Sequence, residues 1–512
     1  MNSSSNQIYD LLIIGGGING AGIARDAAGR GHSVCLCEMN DFASGTSSSS
    51  TKLIHGGLRY LENYQFRLVQ KSLKEREVLL KMAPHIIKPM RFILPHSKKM
   101  RPAWLIRIGL AIYDHLGFRK ILPGTSSVKF KSHTNNPLKE EFKYGFEYSD
   151  CWVDDSRLVI LNLIDASNKG ATVINYTKVT DVKNSNDFWS ITTINTATGK
   201  EKILKARTVI NAAGPWVDEV LNSSLNSNNT KNVRLVRGSH IVVNKLFDHD
   251  KSYICQNDDG RIFFIIPFED NFTLIGTTDI DHGELVSNVQ ISHEEKKYIC
   301  DSANKYLKNE INLEDIVWSY SGVRPLYDDG ATKAQEATRD YIISSEKQGT
   351  LLMINIFGGK ITTYRRLAEN ILELVEKFLG KEKTSWTENS SLPGGEMSFD
   401  GQSDLFRMLN EKYPFLSKQT LERLVRSYGL LSLNIFGDSE DLESLGVDFG
   451  SGLYEKEVKY LVNEEWALTS DDILFRRSKL GLILPEKGLK ELNSYLDKYF
   501  QNAQISEKIA IT

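Results

Sequence analysis

A handful of side chains in this sequence could act on an oxygen-rich, anionic ligand. His55 lies in Lys52-Leu53-Ile54-His55-Gly56-Gly57-Leu58-Arg59-Tyr60, beside two glycines and four residues before Arg59. That puts a titratable ring and a permanent cation on one flexible turn. A second histidine, His240, falls in the β-patterned stretch from Leu235 to Tyr341, with Thr278, Arg324 and Arg339. All four are expected at strand ends or in loops. Ser321-Gly322-Val323-Arg324-Pro325-Leu326 reads as a turn that presents Arg324, whose planar fork suits a phosphate or a carboxylate. Lys360 follows the apolar run Leu352 to Phe357 and two glycines, and a helical pattern from Thr362 to Leu379 comes next. Strand, glycines, helix is an anion-receiving arrangement.

Such groups need a scaffold, and the N-terminus supplies one. Tyr9 to Ile14 reads as a buried parallel strand, and Ala21 to Arg30 as an alanine-rich helix. Between them Gly15, Gly17 and Gly20 give the spacing G-x-G-x-x-G. The first glycine allows the tight turn, the second lets backbone approach a pyrophosphate, and the third lets the helix pack on the strand. A second strand, Ser33 to Cys37, ends at Glu38, about 20 residues beyond the glycines, where an acid accepts hydrogen bonds from a ribose. The hydroxyl-rich stretch that follows, with Thr46, Ser47 and Ser48, can wrap a phosphate or a ring edge with little steric cost. Thr208 to Asn211 reads as a strand that ends in a small-residue turn with Ala213, Gly214 and Trp216. In a doubly wound sheet ligands gather at the carboxyl ends of strands, so this turn faces the same cofactor. A ligand touched by both glycine turns must be long, and it must lie in a cleft built by distant parts of one domain. FAD fits that better than NAD, and no second G-x-G-x-x-G is present for a separate nicotinamide cofactor.

Size and composition narrow the class. A chain of 512 residues implies about two or three domains. At 41% hydrophobic and 25% charged it has a globular composition, and a net charge of −2 argues against a general nucleic-acid binder. Five scattered cysteines, among them Cys35 and Cys37 in one predicted strand, fit free thiols in a reducing compartment and no zinc site; no metal is expected. The polar start Met1 to Gln7 lacks a secretory pattern, and no run approaches the ~18 apolar residues of a membrane span.

Other segments read as follows. Asn63 to Met82 is a helix ended by Pro84. Lys88 to Lys120 is basic, with Lys98, Lys99, Arg101 and Arg107, and its Trp104, Leu105, Ile108, Ala111, Ile112, His115 and Leu116 recur at helical spacing. Such a stripe can lie in the headgroup plane of an anionic leaflet or face a core. Asp155 or Ser156 is expected to cap a helix running through Ser167. Ala171 to Tyr176, Thr177 to Val182 and Trp189 to Thr193 read as strands. Ile241 to Val243, Ile262 to Ile266 and Thr273 to Gly276 read as an antiparallel second sheet. Pro393-Gly394-Gly395 reads as a linker to a helical region from Asp400 to Tyr499. There Glu464 to Thr469 and Asp471 to Arg477 read as two helices around a break, their charges making domain contacts.

Gly15-Gly16-Gly17-Ile18-Asn19-Gly20, Lys52 to Tyr60, Ala213-Gly214-Pro215-Trp216, Ser321 to Pro325 and Phe357-Gly358-Gly359-Lys360-Ile361-Thr362-Thr363-Tyr364-Arg365 occur in one order. In that order they resemble the aerobic, FAD-dependent glycerol-3-phosphate dehydrogenase family, in its bacterial form, over nearly the whole chain. The resemblance implies an α/β fold. A D-amino-acid-oxidase-like, Rossmann-type FAD-binding domain would carry a β-rich substrate domain and an α-helical C-terminal cap. The oxidoreductase region would span 1–394, with FAD-binding parts near 1–90, 150–230 and 345–380 and substrate or membrane parts near 91–149 and 231–344. The cap would span 395–512. The activity implied is oxidation of glycerol 3-phosphate to dihydroxyacetone phosphate, with electrons passed to membrane quinone. The location implied is monotopic, on the cytoplasmic face of the membrane; a homodimer is left open. Together with the two glycine turns it puts FAD against Gly15, Gly17, Ile18, Asn19, Gly20, Glu38, Thr46, Ser47, Ser48, Lys52, Leu53, His55, Val179, Ala213, Gly214, Trp216, Gly359, Lys360, Thr362 and Thr363. Arg324 would bind the phosphate, helped by Arg59 and Arg339, with Tyr60 as a hydrogen-bonding partner. Lys360 would lie near the flavin or the substrate oxygen. His55 or His240 would be the base; the hydroxyl-rich loop before His55 favours it. An O2-reducing glycerol-phosphate oxidase, an amine or amino-acid oxidase of the same fold, and a non-catalytic membrane adaptor are the competing readings.

Overall fold

The computed structural model describes the chain except residues 1–6, 63, 98–99, 118, 131–135, 226–230, 284–288, 329, 331–338 and 503–512. Its first sheet is built on a set of parallel strands. Strand Ile8–Ile14 lies between Val34–Cys37 and Glu201–Asn211, and Leu351–Phe357 continues the parallel set beyond Glu201–Asn211. Leu11, Leu12 and Ile13 are fully buried, because helices cover one face and a hairpin layer the other. That double cover is why residues 11–14 read as an unbroken apolar run. Helix Ile18–Gly29 is rich in glycine and alanine for a steric reason. A Cβ on Gly22 would sit 2.5 Å from the Tyr364 ring, and one on Gly29 would meet Trp386 at 2.0 Å. The helix is wedged between helices Asp155–Asn168 and Tyr364–Leu379. The cap of Asp155–Asn168 is Asp154, whose carboxylate accepts the Arg157 N–H at 3.2 Å, one residue earlier than expected from the sequence.

The second sheet is mainly antiparallel. Its order runs Ile280–Asp281, Val233–Asn244, Phe272–Gly276, Ile262–Phe268, Ser252–Gln256, Ile87–His96, Tyr144–Val153 and Leu53–Ile54. Strand Ile316–Tyr327 also pairs with Val233–Asn244, Arg324 lying opposite Val236. Arg324 is thus inside a strand and not in a turn, and His240 is likewise mid-strand. The signals misread as a turn have other causes. Among the described residues, strand Ile316–Tyr327 is ladder-paired on one side, an arrangement in which Pro325 is tolerated. Gly322 lets the chain at Ser49 approach, since a Cβ there would lie 2.6 Å from the Ser49 Cβ.

The basic stretch divides in two. Its first part is strand Ile87–His96, and its second is helix Ala103–Leu116, which buries only Leu110 and Tyr113. Lys98 and Lys99 lie outside the described residues. The C-terminal region packs helices Gln402–Lys412, Lys418–Tyr428, Glu455–Asn463 and Glu486–Asn502 around its own core of Leu409, Leu421, Leu424, Phe436 and Leu461. Residues 464–469 are irregular, not helical. Trp466 has a positive φ of 56°, and the Asp472 carboxylate takes the N–H groups of Leu468 and Thr469. Asp472–Arg477 then forms one π-type turn.

Candidate active site

The carboxyl ends of the parallel strands and one face of the second sheet enclose a cavity of about 530 Å³, within the usual range of ligand sites. Its first wall is the glycine turn. Gly15 has φ +111°, and a Cβ there would meet the Ala212 carbonyl oxygen at 2.6 Å. Only glycine lets this turn and the end of strand Glu201–Asn211 come so close. A Cβ on Gly17 would meet only the Ser47 Oγ, at 3.1 Å, so its backbone faces the open cavity. Gly20 lies behind the wall, packed on the Gly15 carbonyl. Glu38 closes this end. Its carboxylate accepts the Gly16 and Asn40 N–H groups at 2.6 and 2.9 Å, and burial raises its pKa.

The second glycine turn joins the same wall. Gly358 and Gly359 have φ of +74° and +104°, and Asn19 Nδ2 donates to the Gly358 carbonyl at 3.3 Å, across 339 residues of sequence. Lys360 follows. Its Nζ is buried, has no hydrogen-bond partner among the described residues, and lies 3.7 Å from the centre of the Tyr60 ring. Burial lowers its pKa.

Beside Lys360 the second sheet contributes its charges. The Arg324 guanidinium donates to Asp279 Oδ1 at 2.8 Å and to Thr277 Oγ1 at 3.0 Å. Arg339 approaches the other oxygen of Asp279 at 3.8 Å. The Arg324 side chain crosses over Gly238, where a Cβ would lie 2.4 Å from its nitrogens. So a mid-strand arginine reaches the cavity because the residue beside it has no side chain. Burial alone would raise the Tyr60 phenol, but Lys360, Arg339 and Arg324 outweigh it and push it down. Arg324 and Arg339 therefore meet at Asp279, Lys360 lies beside Tyr60 with Asp340 nearby, and Arg59 lines the same space. Such a site draws a multiply charged anion.

The His55 ring also lines the cavity. Burial, then Lys360 and Arg76, drives its pKa down to about 3, so the imidazole is neutral near pH 7 and able to accept a proton. Its loop is held from behind. Gly56 N–H donates to the Tyr113 hydroxyl at 2.8 Å, Tyr113 donates to Asp150 at 2.8 Å, and Arg76 pairs with Asp150 at 2.7 Å. His240 does not reach the wall. It is fully buried, stacked on Tyr320, with Nε2 3.0 Å from Thr51 Oγ1, and it is Thr51 that lines the cavity.

Of the other residues expected at the cofactor, Ile18, Asn19, Thr46, Ser47, Leu53, Val179, Ala213, Gly214, Trp216, Gly359 and Thr362 lie on the wall. Ser48, Lys52 and Thr363 do not. Lys52 is fully buried, and its ammonium is taken up by Asp155 at 2.8 Å and the Ser48 carbonyl at 3.1 Å. Lysine can be buried this deeply because it is paired. Sequence reasoning missed Asp279, Thr277, Tyr113 and Asp150. Asp279 follows strand Phe272–Gly276 as Gly276-Thr277-Thr278-Asp279, and Thr278 was the residue singled out there. Thr278 Oγ1 instead donates away from the cavity, to the buried Glu295.

The residues present fit FAD. Gly15, Gly17 and Glu38 form the backbone cradle and acid that a dinucleotide requires, and the unpartnered Lys360 Nζ marks polar ligand space at the second turn. The family model described as FAD dependent oxidoreductase matches residues 10–365, and that described as C-terminal domain of alpha-glycerophosphate oxidase matches 385–507. The chain is 46% identical to D-erythritol 1-phosphate dehydrogenase of Brucella abortus, over 97% of this chain and 98% of the relative. It is also 46% identical to aerobic glycerol-3-phosphate dehydrogenase of Escherichia coli, over 96% and 98%. The glycerol-3-phosphate dehydrogenase of Bacillus halodurans, solved in complex with FAD, superposes with a TM-score of 0.72 at 27% identity, over 99% of this chain and 92% of that one. The glycine cradle, the cation-lined cavity and these matches lead to one assignment: the chain belongs to the FAD-dependent oxidoreductase family.

Proposed function

We propose that this protein oxidises glycerol 3-phosphate to dihydroxyacetone phosphate, and that the electrons pass to a membrane quinone. The observation that carries this reading is the convergence of Arg324, Arg339 and Lys360 at the cavity end beside the second glycine turn. FAD, when bound, supplies the acceptor for the hydride leaving the substrate carbon. Arg324, held in place by Asp279 and Thr277, binds the phosphate, with Arg59 and Arg339 completing the charge. Neutral His55 takes the hydroxyl proton as the carbonyl forms. Lys360 stabilises negative charge that develops near the second turn.

Anaerobic mixing of the yellow holoenzyme with a substrate panel tests this. Glycerol 3-phosphate is expected to bleach the flavin band with the highest kcat/KM, and free glycerol and amino acids to be poor by about 10²-fold or more. Faster bleaching by an amino acid would replace this reading with an amino-acid oxidase. A second reading has support of its own, because identity to the erythritol-phosphate enzyme is the same 46%. D-erythritol 1-phosphate therefore belongs in the panel, and the better substrate of the two names the activity.

The membrane part of the reading rests on helix Ala103–Leu116, which exposes Trp104, Leu105, Ile108 and Ile112 by 63, 42, 49 and 38%. Arg107 belongs to the same helix and Arg101, paired with Glu62 at 2.8 Å, precedes it, and no described helix is long and apolar enough to cross a bilayer. A helix of this kind rests in the headgroup plane, here on the cytoplasmic face of the membrane. Trp104→Glu with Ile108→Glu is expected to cut binding to anionic phospholipid vesicles roughly tenfold or more while turnover with a soluble acceptor persists. Unchanged co-sedimentation would remove the helix from the membrane contact. Reoxidation by vesicle-borne quinone is expected to outpace reoxidation by O2; the reverse order would make the protein an oxidase.

A further inference from the structure

None of the described residues of the helical C-terminal region lines the cavity, yet buried charge runs from that region to the glycine turn. Arg477 is fully buried and donates to both oxygens of Asp41, at 2.9 and 2.8 Å. Arg476 Nε donates to Asp41 as well, at 2.6 Å. Asp41 is 1% exposed and lies three residues past Glu38. The next residue, Phe42, meets Trp466 edge-on at 5.4 Å. Its other side supports the glycine turn: a Cβ on Gly16 would lie 2.6 Å from the Phe42 ring. Ala43 N–H then donates to the Gly16 carbonyl at 3.1 Å. A second link runs alongside. Asp472 accepts from the Tyr176 hydroxyl at 3.1 Å, and Tyr176 N–H donates to the Asn40 carbonyl at 3.0 Å.

Charges this deeply buried are expensive unless paired, so Asp41 and Arg477 hold one another in place. Without the arginines, the loop after Glu38 would carry an uncompensated buried carboxylate under the anion-binding turn. We propose that the 465–477 segment is a brace for the cofactor: it sets FAD affinity by holding the Asp41–Ala43 loop against the glycine turn, with Trp466, Arg476 and Arg477 as positioning residues. The proposal rests on membership of the flavin family and not on the identity of the substrate. Coupling between sites is reciprocal, so FAD binding must in turn steady the brace.

The test compares FAD release from purified holoenzyme for wild type, Asp41→Asn and Arg477→Gln, followed by recovery of flavin fluorescence on dilution. Release is expected to be about tenfold faster or more in both variants. A purely structural role would lower the melting temperatures of apoprotein and holoprotein equally and leave release unchanged; that result would overturn the proposal. Hydrogen exchange on the wild-type chain needs no variant and decides the matter if either variant does not fold. Adding FAD to the apoprotein is expected to slow exchange in 464–479 together with 39–47. Slowing confined to 39–47 would sink the brace.

Discussion

Arg324→Ala is expected to lower kcat/KM for glycerol 3-phosphate by about 10²–10³-fold, which corresponds to roughly 3–4 kcal/mol. The loss should fall mainly on KM, because a phosphate remote from the reacting carbon is held in ground state and transition state alike. Two comparisons separate this from general damage. The variant should keep its flavin, since Arg324 belongs to the second sheet and the cradle to the first. It should also keep its low activity toward free glycerol, so the preference for the phosphorylated substrate collapses while the chemistry persists. Removing Arg324 takes from Asp279 its 2.8 Å ion pair and leaves Arg339 at 3.8 Å, and part of the loss will come from that carboxylate repelling the phosphate. Arg324→Ala with Asp279→Ala should therefore recover part of the affinity, a non-additivity expected of groups in direct contact. An Arg324→Ala enzyme with ordinary KM for glycerol 3-phosphate would show that the anion binds elsewhere in the cavity.

What the sequence revealed here and what it concealed have physical explanations. The glycine turn was legible because only glycine fits where a Cβ would strike the Ala212 carbonyl or the Gly15 carbonyl. Helix Ile18–Gly29 was legible for the same steric reason. Arg324 was legible as a cation but not as part of a strand. The glycine and proline around it mark close approach and a strand without a second ladder partner among the described residues, and in sequence those look the same as a turn. The place of Lys52, off the cavity lining and paired with Asp155, was not legible because pairing across the fold is invisible in sequence: Asp155 is 103 residues away. Asp279, Asp150 and Tyr113 were missed on the same ground, since each matters only through a partner brought near by folding. The charges at 464–477 read as domain contacts, yet nothing in the sequence tied them to Asp41 and the glycine turn.

His55→Ala is expected to slow flavin reduction at saturating substrate by about 10²–10⁴-fold, the usual share of a general base. The sharper claim concerns pH. An imidazole free in water titrates near pH 6.5, and a base of that kind would give an acid limb there. Burial and the charges of Lys360 and Arg76 take His55 down to about 3, so it stays unprotonated from pH 8 to below pH 5. The sign follows directly: protonation, and with it loss of the base, is reached only as pH falls toward 3. The wild-type free enzyme should show no acid limb from His55 between pH 5 and 8. Lys360→Met removes one of the depressing charges, so the His55 pKa must rise and an acid limb should move upward toward the measurable range. His240→Asn should cost less than tenfold, because that ring reaches the cavity only through Thr51. Burial, then Arg324 and Lys52, also takes the His240 ring well below its ordinary value, so the position of a limb does not separate the two; loss of the base function in His240→Asn with survival in His55→Ala would transfer the role to His240. It would also make Thr51 the proton relay, since its hydroxyl lies 3.0 Å from that imidazole's Nε2 and Thr51 lines the cavity.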